Sequence, residues 1–375
     1  MTHPKDCPIC AAINPALTNT ENARRLDTSE ATIRRHRASN PPVDEFFGVP
    51  NEIITSRGKT VRLPDGSYEK ITYSPARAAL LEVASYDDIE RAIENYVFTP
   101  PSTDMSTYAR EAFNLCLADF QVGKTDAQGG TAELELRVMG SLYAARERVL
   151  REKPAEINLF DLGDGIEGFS NTGGQAQTND LNLTTQIRVM RRLMTEAIKM
   201  FAPLTPNLNY IAVPSNHCQV RAPGSKDLAS TPNDDFGIEV SHQLEDVFAD
   251  REQYSHLSFH RPTEYEEALT IGTIDGTAIG AVHGHQGKSP ETIAATWWTG
   301  QSHGRRSGLD RADILLYGHF HGLRVQHSGD SRWAIGAPTS DNGSSWYANM
   351  KGVTSKTGML GFTSSNGMWK GIEIL

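Results

Sequence analysis

The sequence predicts an α/β layered core preceded by a small helical module, and three observations predict it. Beyond residue 110 short apolar strands alternate with amphipathic helices, the texture of an α/β core. Five of those strands end on a residue able to ligate a metal. The first forty residues are helical and locally basic, and they close on Ser39-Asn40-Pro41-Pro42, a polar and proline break. These observations divide the chain into residues 1–40, a connector over 41–105 and the core over 106–375.

Composition bounds the reading. The 375 residues carry 36 Lys and Arg against 46 Asp and Glu, a net charge of −10. An acidic chain of this kind does not bind polyanions over its whole surface. No run of about 18 apolar residues occurs and no signal-like apolar stretch opens the chain, so neither a membrane span nor secretion is expected. Four cysteines cannot staple a core of this size and point to a reducing, cytoplasmic setting. Cys7 and Cys10 form a C-x-x-C near His3, but a structural zinc site needs four ligands and no second pair lies nearby.

In the connector, Val61, Leu63, Pro64-Asp65-Gly66, Tyr68 and Ile71 predict a hairpin over Thr60 to Ile71. Ala79, Leu80, Val83, Ile89 and Ile93 predict helix between Pro75 and Tyr96, before a second break at Pro100-Pro101. In the core, strands are expected at Phe113–Ala118, Ile157–Leu162, Tyr210–Val213, Ala278–Val282 and Ile314–Tyr317. Thr131 to Glu152 places Leu134, Val138, Leu142, Ala145 and Val149 on one helical face. Thr185 to Phe201 does the same with Ile187, Met190, Leu193, Met194 and Ile198. Those two helices should cover the sheet, with the methionines as core filler.

The strand ends carry the chemistry. They run into Asp119, into Gly163-Asp164, into Ser215-Asn216-His217, into His283 and into Gly318-His319-Phe320-His321. Ligands of open α/β sheets gather beyond the carboxyl ends of strands, so these residues should converge on one pocket. Carboxylates, an amide and imidazoles form a mixed oxygen and nitrogen set suited to Mn²⁺, Fe²⁺ or Zn²⁺. So many donors suggest two ions. Glycines beside His319 and His321 fit a loop whose backbone must approach ions closely, whereas His256, His260, His303 and His327 read as ordinary satisfied polar residues.

In order and context these five segments resemble the motifs of the calcineurin-like metallophosphoesterases: Asp-x-His, Gly-Asp-x-x-Asp/Glu, Gly-Asn-His-Asp/Glu, a lone His and Gly-His-x-His. Here they read Asp119-Phe120-Gln121, Gly163-Asp164-Gly165-Ile166-Glu167, Ser215-Asn216-His217-Cys218, His283 and Gly318-His319-Phe320-His321. The resemblance implies a four-layer α/β/β/α sandwich and two divalent ions, Mn²⁺ foremost with Mg²⁺, Fe²⁺ or Zn²⁺ as alternatives. It implies that Asp119, Gln121, Asp164 and His321 hold the first ion, and Asp164, Asn216, His283 and His319 the second. His217 would then be the catalytic group that protonates or stabilises the leaving oxygen. His285 rivals His283, but the family's Gly after the liganding His favours His283. Two departures stand out. Gln121 replaces the usual His, a neutral and harder ligand that should weaken the first site and tilt it toward Mn²⁺ or Mg²⁺. Cys218 replaces the usual acid, so another carboxylate is expected to take over its orienting role.

Residues Glu21 to Arg37 resemble a helix-turn-helix. Ala23 and Ile33 match its small and β-branched core positions, Leu26 packs between them, Asp27 takes the turn position where Gly is usual, and Ser29 caps the second helix. That helix would present Thr32, Arg34, Arg35 and Arg37 to DNA. Five Arg against three acids give the segment +2 inside a chain of −10. The bland alternative is a helical hairpin for packing or homodimerisation. The whole arrangement also resembles phage-encoded metallophosphoesterases carrying such a module, which would act in the host cytoplasm. The expected activity is therefore metal-dependent phosphodiester hydrolysis, most directly of DNA. The rivals are a phosphomonoesterase or nucleotide phosphodiesterase, and a DNA-binding regulator whose core has decayed. Arg221, Lys226, Lys288, Arg305 and Arg306 read as solvated charges and not as phosphate ligands.

Overall fold

The computed structural model describes residues 19–29, 31–33, 43–44, 49–50, 59–62, 68–71 and 100–375, the last range without 170–177, 223, 226, 330 and 353. The chain divides into two compact units, Met1–Val83 and Ala84–Leu375.

In the first unit, helix α1 (Asn19–Arg25) ends in a turn where Asp27 adopts φ 47°, the left-handed conformation expected of it. Ser29 Oγ accepts a hydrogen bond from the Thr32 N–H at 3.1 Å and so caps a helical turn at 31–33. Ala23 and Ile33 are both buried. Two antiparallel pairs follow, β1 (Val43–Asp44) with β2 (Val49–Pro50), and β3 (Lys59–Arg62) with β4 (Tyr68–Ile71). The second pair is the expected hairpin. Arg34, Arg35, Arg37, Cys7, Cys10 and the helix expected over 75–96 lie outside the described residues.

The second unit starts with β5 (Ala109–Leu117), α2 (Thr131–Glu152), β6 (Pro154–Asp161), α3 (Leu183–Phe201), β7 (Leu208–Ala212), α4 (Phe236–Ala249) and β8 (Leu257–His260). The four strands are parallel, each joined to the next through a helix, as a parallel crossover requires. Next come β9 (Ala268–Gly272), β10 (Ala278–Val282), a helical stretch ending in α5 (Trp298–His303), β11 (Ile314–Tyr317), β12 (Arg324–His327), β13 (Trp333–Gly336), α6 (Ser345–Lys351), β14 (Leu360–Ser365) and β15 (Met368–Ile374). One sheet has the order β15-β14-β5-β6-β7-β8 and the other β12-β13-β11-β10-β9.

The sheets face each other. Cys116, Ala118, Phe160, Leu162, Ile211 and Val213 of the first pack in one cluster with Ile279, Ala281, Ile314, Leu316, Ile335 and Ala337 of the second. Since side chains alternate across a strand, Leu115, Leu117, Ile157 and Leu159 turn to the opposite face, where α2, α3 and α4 pack. On the outer face of the second sheet, Val282, Leu315, Tyr317 and Ala334 cluster with Ile293, Ala294, Trp298 and Leu309. The result is the expected four-layer α/β/β/α sandwich. Fully burying a side chain such as Phe160 contributes about 1.5–3 kcal/mol, and this double core fixes the sheets against each other.

Register then places the site. Leu117, Asp161 and Ala212 stand side by side at the ends of β5, β6 and β7. Val282, Tyr317 and Gly336 do so at the ends of β10, β11 and β13. The motif residues follow directly, so each sheet presents its ligand candidates along one rim.

Candidate metal centre

The two rims meet. His283 Nε2, from the second sheet, lies 3.1 Å from Asp164 Oδ2 of the first and 2.9 Å from Asn216 Oδ1. His283 Nδ1 lies 2.7 Å from the Leu162 carbonyl and donates to it, which fixes the ring and aims Nε2 inward. Opposite, His321 Nε2 is 3.3 Å from Asp119 Oδ1, and the His319 N–H donates to both Asp119 oxygens at 3.0 and 3.1 Å. Donor atoms of Asp164, His283 and His319 all fall within 4.8 Å of one another.

The backbone is strained here. Ten non-glycine residues among those described have positive φ, and five are ligand candidates: Asp119, Gln121, Asp164, His319 and His321. Such conformations are uncommon and persist only where the surroundings impose them. Two glycines let these turns close. A Cβ on Gly163 would lie 2.4 Å from Ser215 Cβ, and one on Gly318 would lie 2.6 Å from Asp119 Oδ2.

The electrostatics separate two acidic foci. Burial works against the Asp164 charge, but His283 and His217 hold its carboxyl well below the usual carboxylate range. Burial likewise opposes charging of His283, yet Asp164 raises it to about 9. Desolvation opposes charging of half-buried His321 too, yet Asp341 and Asp119 on either side of it raise it to about 10. Each focus therefore retains a proton on an imidazole as its counter-charge. A divalent ion would supply that charge instead and release the protons. His319 is different: burial and the neighbouring His283 lower it to about 4, leaving a neutral ring ready to ligate.

The donor set fits such ions. Metal bonds of about 2.1 Å place adjacent donors roughly 3.0–3.4 Å apart, the range spanned by the His283–Asp164 and His321–Asp119 contacts. Asp164, Asn216, His283 and His319 could hold one ion, and Asp119, Gln121, Asp164 and His321 the other. His217 stands beside them. Its N–H donates to Asp164 Oδ1 at 2.9 Å, while its Nδ1 lies 2.7 Å from the Glu167 carbonyl oxygen and 3.4 Å from Glu167 Oε2.

Four supporting residues escaped the sequence reading. Glu167 was visible in its motif, though no role was assigned to it. Asp341 is fully buried and bonds His321 Nδ1 at 3.2 Å and the Lys124 ammonium. It lies beyond β13, a strand with no motif to mark it. Lys124 Nζ also donates to Gln121 Oε1 at 2.6 Å. Asp235 is a buried carboxylate tied to the loop that carries Asn216 and His217. It caps α4 and accepts the Ser215 N–H at 2.9 Å, while Ser215 Oγ accepts the Asp164 N–H at 2.7 Å. Only its position before an apolar helix could have betrayed it.

No family model and no curated protein matches the chain. Among solved structures, it is similar to a conserved uncharacterised protein, a predicted phosphoesterase, from Streptococcus pneumoniae. That match has 10% identity and a TM-score of 0.28, covering 68% of this chain and 84% of the other. It is also similar to Vps29 complexed with zinc from Entamoeba histolytica, at 14% identity and a TM-score of 0.25, covering 70% and 98%.

The His285 ring lies 5.5 Å from that of His283 and 6.3 Å from that of His319, beside the cluster. His285 Nε2 contacts Glu267 Oε1 at 3.3 Å. His256 bonds the Ala202 carbonyl, His260 bonds Asn209 and the His327 ring packs at a tilt against Trp333. Arg221 donates to the Asn216 carbonyl at 3.1 Å and thus steadies the ligand loop, and Arg306 faces Glu266. Lys226 and residues 170–177 lie outside the described residues. No helix among the described residues is long and apolar enough to cross a membrane.

Proposed function

We propose that this chain is a two-ion metallophosphoesterase that hydrolyses phosphodiester bonds, with DNA as its substrate. The observation that carries this reading is Asp164. One buried carboxylate is shared between an Asn216–His283 pair and the His217 loop, with Asp119 and His321 opposite. Asp119, Gln121, Asp164 and His321 would hold the first ion, Asp164, Asn216, His283 and His319 the second. Bound there, ions of this kind polarise a phosphoryl oxygen and lower the pKa of an attacking water.

The chain's own residues do the rest. With Nδ1 engaged by Glu167, His217 presents Nε2 to the centre, 3.8 Å from Asp164 Oδ2. A proton on that nitrogen would pass to the leaving oxygen as the phosphorus–oxygen bond breaks. Asp235 and Ser215 keep the His217 loop in register with Asp164.

The DNA assignment rests on the amino-terminal unit. The left-handed Asp27, the Ser29 cap and the buried Ala23 and Ile33 support a helix-turn-helix reading of residues 21–37. Arg34, Arg35 and Arg37 would follow on its second helix and contact phosphates and groove. The test uses metal-stripped full-length protein, end-labelled linear and closed circular DNA, and Mn²⁺, Mg²⁺ or Zn²⁺ added in turn. Metal-dependent cleavage that Asp164→Ala lacks is the expected result. Activity confined to small phosphoesters would overturn the DNA assignment and keep the metal centre. No cleavage of any phosphoester by protein that still binds duplex would overturn both.

A further inference from the structure

The Gln121 side of the centre differs from what a weakened ligand alone would produce. Where the resembled family has an imidazole, this chain has an amide whose oxygen is engaged by a lysine three residues on. An ammonium has donors and no acceptor, so it must face Oε1 of Gln121, the atom an ion would need. The contact is 2.6 Å. Lys124 is held in place by its surroundings. Its N–H donates to the Gln121 carbonyl at 3.0 Å, its own carbonyl accepts from Asn342 Nδ2 at 2.7 Å, and only 13% of its side chain is exposed. The second partner of the ammonium is Asp341, 1% exposed, whose same oxygen contacts His321 Nδ1.

One buried carboxylate thus serves two cations. Toward His321 it is the carboxylate partner that orients a metal-ligating imidazole. Toward Lys124 it anchors a fixed positive charge beside the first-ion donors. The other half, built from Asn216, His283 and His319, has no lysine or arginine in contact with its ligand atoms among the described residues.

We propose that Lys124 imposes an order of occupancy on the centre. One divalent ion binds tightly through Asp164, Asn216, His283 and His319. The ion on the Asp119, Gln121 and His321 side binds more weakly, because it must share or displace the Lys124 contact on Gln121 Oε1 and sit near its charge. Occupancy of the Gln121 side thereby tracks the free metal concentration. This rests on the metal-centre reading above.

The experiment titrates metal-stripped full-length protein with Mn²⁺ and follows free Mn²⁺ by its electron paramagnetic resonance signal, with no substrate present. Wild type should take up one tight equivalent and one at least about 10-fold weaker, the span that outer partners of ligands command. Lys124→Met should tighten the second equivalent about 10-fold while leaving the first unchanged. Lys124→Arg, which keeps the charge, should preserve the gap. Gln121→His should narrow the gap without emptying the lysine position, and so carries the test if Lys124→Met does not fold. Two equal equivalents in wild type, or identical titrations for wild type, Lys124→Met and Gln121→His, would overturn the proposal. Asp164→Ala separates the two levels. Unchanged uptake of both equivalents in that variant would overturn the metal-centre reading itself. Loss of both there, with no effect at Lys124 and Gln121, would overturn the order of occupancy alone.

Discussion

The two halves of the candidate centre solve the same electrostatic problem differently. Around His283 the negative charge of Asp164 is met by imidazoles alone, and a proton on His283 can leave when an ion arrives. Around His321 the charges of Asp119 and Asp341 are met by an imidazole and also by the ammonium of Lys124. A removable counter-charge makes a site that exchanges protons for metal. A fixed one makes a site that is partly neutralised before any metal comes. Depth reinforces the contrast, since His283 is fully buried while the His321 side chain is 25% exposed. Gln121 is thus part of a built surrounding, its amide oxygen held by Lys124 and Lys124 by Asp341.

The largest effect should come from the residue both halves share. Asp164→Ala is expected to abolish metal uptake and reduce turnover by at least the loss due to a missing general acid, about 10²–10⁴-fold. His217→Ala should cause a comparable fall in turnover with metal content intact, measured by elemental analysis of the purified variant. Equal metal loss in the two variants would remove His217 from its assigned role and place it among the ligands.

A smaller contrast tests the asymmetry directly. His283→Ala should weaken the first Mn²⁺ equivalent by more than about 100-fold, whereas His321→Ala should change it by less than about 10-fold and act on the second equivalent. Calorimetric titration of both variants decides this. Equal losses would show that the halves bind as one unit, whatever their counter-charges.

Much of this was legible in the sequence, for a physical reason. Parallel strands are buried on both faces and read as apolar runs, so β5, β6, β7, β10 and β11 were visible, and so were the residues that follow them. Among those residues His283 contacts Asp164 and Asn216, and His321 contacts Asp119. The edge strands were not legible. β8, β12 and β15 mix polar and apolar residues because one side meets solvent. Neither were the supporting groups, because Asp341 meets Lys124 only through folding of segments 217 residues apart, and without that anchor nothing marks Lys124 as a partner of Gln121. Local spacing reports ligands presented by a strand end. It does not report the partners that orient them.

The mildest prediction concerns the floor beneath the His283 half. Asp161 closes β6, and its carboxyl accepts the Tyr210 hydroxyl at 2.8 Å and the Gly163 N–H at 3.1 Å. It is fully buried with no lysine or arginine bonded to it among the described residues, and burial pushes it from 3.8 to about 6. A carboxyl whose pKa rises on folding contributes stability below its unfolded value. That contribution is lost as pH climbs through the folded value. At about 1.4 kcal/mol per unit, metal-free protein should lose roughly 2–3 kcal/mol from this group between pH 4 and 7. Asp161→Asn keeps an oxygen for Gly163 and has no charge to bury, so its urea midpoint should vary less over that range and exceed wild type near pH 7. Parallel pH profiles for the two proteins would mean that Asp161 ionises freely in the fold. The His283 half would then hold a fixed negative charge beneath it, and the proton exchange that distinguishes it from the Lys124 half would need another source.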